Sequence, residues 1–593
     1  MRSCRLILLL LAFVSIPLHT SAAIEGRVWL DANGNGRFDA GEQCAAGCLV
    51  SDGTQLVRTD ASGHYLLEPS SARAAVFVVN PSGTWPIGRW WASAGSSTSP
   101  GTIDFPLQTQ RQDGPLIFVQ GTDIHINPRA VPLYRQYIEH LNRLPLPVRF
   151  VIHTGDLVID ALRHDAASAE EFFRLYEDET KAIRYPLRNL MGNHEHVGAA
   201  RKDIADRGSD YGKGMYLRRL GPPSYAFRYG QYHFLILDGS TLDPQAAAGY
   251  RDRPDDASVA WASRYLATVG PNEPLIVLVH QPLGDRDTDR LLLQALRGKR
   301  LLAVLCGHEH SRELMRWGGA PMIVGGAVSY AWTGFLPFPP GPRGYVVYRL
   351  EDARLEYAYL DWAAERSVDL RLPAWEAIAV SSRLAVDGTV SNFDGSVRRV
   401  VCRLGGIQTE ARLTHRGHLV DRFEATLDCS RLADGVYDLA IEAFDKLHSY
   451  RHTRPVILKR GRTEALANGQ RKTGAEAQPA RLTLQVARSS PEGNEVRLNG
   501  QSLARIPAAK AWSRQWSFDL PLDRLQRLNQ ITIVPGTRGS PEVSRMRIEF
   551  AGQSFSDIRF PPDMKRGMVK SDENKTALDY YIDLTYRGPR AAR

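Results

Sequence analysis

Leu116-Ile117-Phe118-Val119-Gln120-Gly121-Thr122-Asp123-Ile124-His125 is an apolar run that ends in a glycine, a carboxylate and an imidazole. The same grammar recurs downstream. The run 148–152 leads to Gly155-Asp156, and 187–191 to Gly192-Asn193-His194-Glu195. The run 275–279 leads to His280, and 301–305 to Gly307-His308-Glu309-His310. Amphipathic stretches at 131–144 and 169–183 separate the first runs and predict helices. Strand-like runs alternating with helical ones predict an α/β core over residues 114–362. In such sheets, polar residues just past strand C-termini are where ligands bind. The segments 225–237 and 346–360 read as antiparallel additions to the sheet. Any one block is explained by a turn or a hydrogen-bonded core histidine; all five, each at the end of a hydrophobic run, point to one site.

The residue types suit phosphate-ester hydrolysis. That reaction needs the phosphoryl oxygens neutralised and a strong nucleophile at neutral pH. Two divalent ions roughly 3.5–4 Å apart do both, by clamping the phosphate and acidifying a shared water. Imidazole and carboxylate ligands suit Mn, Fe, Zn, Co or Ni. The blocks resemble those of the calcineurin-like metallophosphoesterase superfamily, whose catalytic domain is a four-layer α/β sandwich. The resemblance implies that Asp123, His125 and His310 bind one ion, that Asn193, His280 and His308 bind the other, and that Asp156 bridges them. It also implies that His194 binds no metal and acts instead on the transition state or as a general acid, while a bridging hydroxide attacks phosphorus in line.

Two positions depart from the family pattern. Thr122 stands where serine is commoner, with ligand spacing intact. Many members place an aspartate three residues after the bridging one to orient the catalytic histidine; here that position is Ile159, and Asp160 follows. Either Asp160 takes the role after a local shift, or the surroundings of His194 differ. His196, Arg201, Tyr211 and Tyr330 lie on neighbouring loops and are read as substrate contacts. His153, His164 and His233 are read as ordinary hydrogen-bonded histidines.

Outside this region the chain reads as β. Residues 24–108 form a β-sandwich module with turns such as Ser51-Asp52-Gly53. Within it, the stretch from Asp31 to Glu42 fits the twelve-position calcium loop, with oxygen donors at Asp31, Asn33, Asn35, Asp39 and Glu42 and a glycine, Gly36, at the sharp turn. A strand precedes it where a helix would normally stand, so an Asn-Gly-rich turn is the alternative. Residues 366–460 read as an Ig-like β domain, 461–479 as a polar linker and 480–593 as a C-terminal β-sandwich. The basic tail after Pro562 has no evident partner.

With 593 residues, several domains are expected. Arg2 and Arg5, an apolar run over 6–18 and small residues up to Ala23 read as a secretory signal cut near Ala23. The alternative is an uncleaved anchor, although the run is short for a bilayer span. No later segment is apolar enough to span, so a periplasmic or secreted protein is expected. Cleavage removes two arginines and no acid, taking the net charge from +9 to +7. That excess is spread over a long chain and reads as a solvated surface; no nucleic-acid motif is present. Export makes disulfides available: Cys402–Cys429 is expected, Cys44–Cys48 is an open pairing, and Cys306 reads as a buried small hydrophobe. Phosphorylated envelope sugars, nucleotides and lipid headgroups all fit as substrates, and monoesters and diesters are equally open. A rival reading, from three β modules, is a cell-envelope glycan- or protein-binding protein with a non-catalytic phosphoesterase-like domain.

Overall fold

The computed structural model describes residues 23–69, 74–96, 101–111, 113–203, 207–329, 343–364, 366–373, 377–393, 395–446, 448–464, 480–487, 493–507, 515–535, 542–551, 553–557 and 578–586. The leader and Tyr330 lie outside them.

Two sheets build the central region. The first runs in the order Leu187–Leu190, Val148–Thr154, Leu116–Gly121, Gly344–Glu351, Arg354–Asp361. Its first three strands are parallel, and the last two form an antiparallel hairpin added to the edge. The second runs in the order Tyr225–Tyr229, Tyr232–Leu237, Pro274–Val279, Arg300–Cys306, Ala320–Val324, Glu313–Trp317. Its four middle strands are parallel. Parallel strands are covered on both faces, which is why they appear in the sequence as continuous apolar runs.

Alternation along the first sheet decides what packs where. Phe118, Phe150 and Ile152 join Phe227 and Phe234 of the second sheet in one core, with Phe118 and Phe150 each 5.3 Å from the Phe234 ring. Ile117, Val119 and Val151 point the other way, into a separate core. There they meet Tyr134 and Tyr137 of the helix Val131–Asn142 and Phe173 of the helix Ala166–Thr180. The second sheet is backed by the helices Asp256–Leu266 and Asp287–Ala295, which contribute Trp261, Tyr265 and Leu292 to the first core.

The N-terminal β segment is packed onto this core. Trp85 stacks on Phe150 at 5.8 Å, Phe77 meets Trp261 edge-on at 5.8 Å, and the Trp261 indole N–H donates to Ser51 Oγ. Buried Arg188 lies 4.1 Å from the Trp90 ring and 5.0 Å from that of Trp85. Beyond residue 366, eight strands form a continuous path from Val368–Leu372 to Ile378–Ala379. In that path Ile378–Ala379 and Arg383–Ser391, close in sequence, lie apart. Of the linker, 461–464 is held by the Asp434 carboxylate and Arg527; residues 465–479 lie outside the described ones. Two four-stranded sheets enclose a last core of Leu482, Val496, Ile531 and Ile548. The tail is not wholly unpartnered, since Leu578–Asp583 pairs with Leu528–Pro535.

The expected Cys402–Cys429 disulfide is absent and the open Cys44–Cys48 pairing is not formed: among the described residues, Cys44, Cys48, Cys306, Cys402 and Cys429 are free thiols. Cys402 and Cys429 are both core residues packed among aliphatic side chains, and the Cys429 thiol, just past the strand Val420–Asp428, points to the Leu427 carbonyl at 3.6 Å. Burial pushes the Cys402 thiol up to about 12, so it behaves as a small hydrophobe. Among the described residues, no helix is long and apolar enough to cross a membrane.

Candidate metal centre

Every block sits just past the C-terminal end of a strand, and the loops that carry them are tied to one another. Asp123 N–H donates to the Gly155 carbonyl and His125 N–H to the Asp156 carbonyl. Gly307 N–H donates to the His280 carbonyl, which joins the second sheet's own loops. Close approach explains two of the glycines: a Cβ on Gly155 would collide with the His280 ring, and one on Gly192 with the Asp156 carboxylate. Among the described residues, nine non-glycine residues have positive φ, and five of them are Asp123, His125, Asp156, His308 and His310. A left-handed backbone on such residues is costly and persists where surrounding structure enforces it, a pattern concentrated at functional sites.

Two sets of donor atoms converge. Asp123, His125, Asp156 and His310 form one, and Asp156, His280 and His308 the other, with ligand atoms in each set within 4.8 Å of one another. Asp156 belongs to both. Asn193 joins the second set, its Oδ1 lying 3.0 Å from His308 Nδ1. Within the first, His125 Nε2 and His310 Nε2 are 3.0 Å apart, and His310 Nε2 is 3.2 Å from Asp123 Oδ1. Asp156 Oδ2 stands 3.1 Å from His280 Nε2 and 3.6 Å from His125 Nε2. The seven residues are thus brought together in two adjoining clusters that share Asp156.

The donor set fits divalent cations. Asp123, His125, Asp156 and His280 are almost wholly buried, and buried charge is stable only when compensated. His280 Nδ1 donates to the Thr154 carbonyl at 2.7 Å, which fixes the ring and aims Nε2 at the carboxylates. Burial works against charge on that ring, but Asp156 and Asp123 draw its pKa up to about 10. The same carboxylate field that holds a proton there would hold a metal cation.

Glu195 is the residue whose role sequence reasoning missed. Fully buried, its carboxylate accepts the backbone N–H groups of Gly192, Asp156, Leu157 and Val158 at 2.6–3.2 Å. It thereby fastens the Asp156 loop to the Asn193-His194 loop. The available signal was an acid that directly follows two site residues, Asn193 and His194.

His194 is oriented differently from expectation. Its Nδ1 lies 2.6 Å from the Ile159 carbonyl, which can only accept, so Nδ1 carries the proton. Asp160 Oδ1 is 3.9 Å from that nitrogen, beyond hydrogen-bond range, and Asp160 Oδ2 is taken by Arg163 at 2.6 Å. A backbone carbonyl therefore does the orienting that was expected of Asp160. His194 Nε2 faces the centre, 3.9 Å from Asp156 Oδ2.

The expected substrate contacts fare less well. His196 is fully buried; its Nδ1 meets the Asn193 carbonyl at 3.2 Å and its ring stacks on Tyr250, so it supports the loop and faces no substrate. Arg201 is paired with Asp203 and Asp165, and Tyr211 lies beneath Arg207. His153 is wedged between the hydroxyls of Tyr137 and Tyr176, His233 meets that of Tyr265, and His164 Nδ1 meets the Asp160 carbonyl. In the N-terminal loop, Asp31 accepts from Gly34 and Gly36 N–H, while the Asn33 and Asn35 side-chain amides both donate to Asp39 Oδ2. Glu42 accepts from Ala32 and Asp39 N–H, closing the loop.

Residues 118–312 match the family model for calcineurin-like phosphoesterases. The similarity is confined to this segment of the chain, the one that carries the donor clusters. A curated relative, a cAMP/cGMP dual specificity phosphodiesterase of Mycobacterium tuberculosis, is 25% identical over 206 residues, covering 33% of this chain and 59% of the relative. The chain therefore spans less than two thirds of the relative's length. Among solved structures, the inner membrane complex anchor GAP50 of Plasmodium is 15% identical, covers 42% of this chain and 85% of its own, and has a TM-score of 0.29. A putative 5'-nucleotidase of Staphylococcus aureus, in complex with alpha-ketoglutarate, is 16% identical over 42% of this chain and 53% of its own, with a TM-score of 0.27.

Proposed function

We propose that the protein is an exported, dinuclear-metal-dependent phosphoesterase that hydrolyses phosphate monoesters or diesters. The observation that carries this is the pair of donor sets sharing Asp156 at the strand ends of a calcineurin-like phosphoesterase domain. Asp123, His125, Asp156 and His310 would hold one ion, and Asp156, Asn193, His280 and His308 the other. Bound there, divalent ions such as Mn, Fe, Zn, Co or Ni supply charge neutralisation for the phosphoryl oxygens and acidify a water. His194, with Nδ1–H committed to Ile159, presents Nε2 to the leaving oxygen and, in its doubly protonated imidazolium form, gives it the Nε2 proton. The two sheets, with helices packed on their outer sides, support a four-layer reading of the catalytic unit. The β segments on either side support accessory modules: an N-terminal sandwich, an Ig-like domain and a C-terminal sandwich. The leader-like N-terminus supports a periplasmic or secreted location.

The test is turnover by the chain from Ile24 after chelator stripping, with Mn, Zn, Ni and Co added back singly. A chromogenic phosphomonoester is compared with the matching diester. The diester is included because the curated relative is named as a phosphodiesterase. Turnover that appears only with added metal is expected, and the preferred ester narrows the substrate class. Protein that binds no metal and turns over neither ester would sink the proposal in favour of a binding protein.

The 31–42 loop is proposed to hold one structural calcium, on the support of its spacing and of the carboxylates of Asp31, Asp39 and Glu42 within one closed turn. Calcium is expected to raise the melting temperature of the wild type and leave Glu42→Gln unchanged. Calorimetric melts with and without the ion check this; equal melts for the wild type would refute it.

A further inference from the structure

The loop that carries His308 and His310 has to hold two left-handed residues, with φ of 74° and 55°. Such a backbone needs anchors on both sides. On its N-terminal side, Gly307 N–H donates to the His280 carbonyl, and His308 N–H meets both oxygens of Asp123 at 3.1 Å. On its C-terminal side, Arg312 leaves the phosphoesterase region altogether. Its Nη1 donates to Asp369 Oδ1 at 2.5 Å, and its guanidinium lies 4.4 Å from the Tyr359 ring. Asp369 sits on Val368–Leu372, the first strand of the eight-stranded path. Tyr359, on the edge hairpin of the first sheet, forms the floor under the pair.

We propose that Asp369 is a positioning residue for the metal-ligand loop, acting through Arg312, so that the β module after residue 366 completes the active site of the domain before it. This rests on the metal-centre reading given above. The pair is well placed to transmit position. Arg312 is two residues from His310, too close for the chain between them to absorb much displacement. Its side chain is largely buried and held from two directions, by a carboxylate and by an aromatic face. Other charged groups near it are Asp361 on the hairpin and, around Asp369, Arg454 and His452 of the strand Ser449–Leu458. Removing the Asp369 charge leaves the Arg312 guanidinium without its carboxylate partner, two residues from His310.

A second contact joins the same two parts of the chain without touching the loop. Glu356 Oε1 accepts the Leu419 N–H at 2.8 Å. It provides the control that separates positioning from mere docking. The full chain is stripped with chelator and titrated with Mn2+ by calorimetry, with kcat, KM and metal-free melting temperature measured alongside. Asp369→Asn is expected to weaken Mn2+ binding about 10-fold and lower kcat at limiting metal, with KM for the ester little changed. Arg312→Lys, which keeps the charge, is expected to retain most of the affinity. Glu356→Gln is expected to leave Mn2+ affinity at the wild-type value, whatever it does to the melt. Wild-type affinity in Asp369→Asn would overturn the proposal, as would an equal loss in Glu356→Gln. A wild-type chain that holds no ion would overturn the metal-centre reading, and this proposal with it.

Discussion

Asp156→Asn is expected to lower kcat by about a thousandfold or more at saturating metal, with less than the wild-type content of bound ion. The substitution is close to isosteric and keeps an oxygen in the place where Asp156 Oδ1 accepts the His194 N–H at 3.0 Å. It removes one charge from a site where that charge is surrounded. The side chain is 2% exposed, and its other oxygen faces His280, His125 and His194 at 3.1, 3.6 and 3.9 Å. Burial acts to raise this carboxyl, yet His280, His194 and His125 together hold it well below the usual carboxylate range. It is therefore an anion at neutral pH, and the one anion that both donor sets share. Substitution of a residue in only one set is expected to spare the other set. Elemental analysis of the purified variant, with circular dichroism to confirm folding, checks the expectation. Wild-type kcat and a full complement of ions would show that Asp156 does not join the two sets.

The parts of this site legible in the sequence were those fixed by strand chemistry. An apolar run buried on both faces ends where the chain leaves the sheet, and the polar residue after it is delivered to the sheet's C-terminal edge. Asp123, Asp156, Asn193, His280 and His308 were all placed by that rule. What the sequence could not disclose were choices between neighbours of equal chemistry. Asp160 and the Ile159 carbonyl both lie within reach of His194, and only the local backbone, turning at Asp160 into the short helix Ala161–Arg163, decides for the carbonyl. His196 looked like a pocket residue because it is two positions from His194; the turn between them buries it against Tyr250. Cys402 and Cys429 share a core, but sequence shows neither how their side chains point nor whether they approach. The helices Asp256–Leu266 and Asp287–Ala295 were passed over. The first did leave a trace in Asp255, whose carboxylate caps Ser258 N–H. The Arg312–Asp369 pair spans two sequence regions that no local pattern connects.

His194→Ala is expected to separate the chemical step from metal binding. The Nε2 atom faces the centre but stands 3.9 Å from Asp156 Oδ2, and His194 belongs to neither donor set. Its removal should leave ion content unchanged. Its backbone N–H, which holds Asp156 Oδ1, is present in the variant as well. What is lost is an imidazolium donor that gives its proton from Nε2 while the Ile159 carbonyl holds Nδ1–H and orients the ring. Loss of a positioned general acid costs about 10²–10⁴-fold in rate, and most where the leaving group is a poor one. An alkyl phosphate ester, whose leaving alkoxide needs a proton, should therefore lose far more kcat than a nitrophenyl ester, whose leaving phenolate does not. Asp160→Ala supplies the contrast: with its carboxylate out of hydrogen-bond range of His194 and engaged by Arg163, it should change kcat for either ester by less than about threefold, because a residue outside hydrogen-bond contact contributes little to orientation. Equal losses for the two esters in His194→Ala would rule out proton donation and leave only stabilisation of the phosphoryl oxygens. A large loss in Asp160→Ala would mean that the carboxylate, and not the carbonyl, sets the ring.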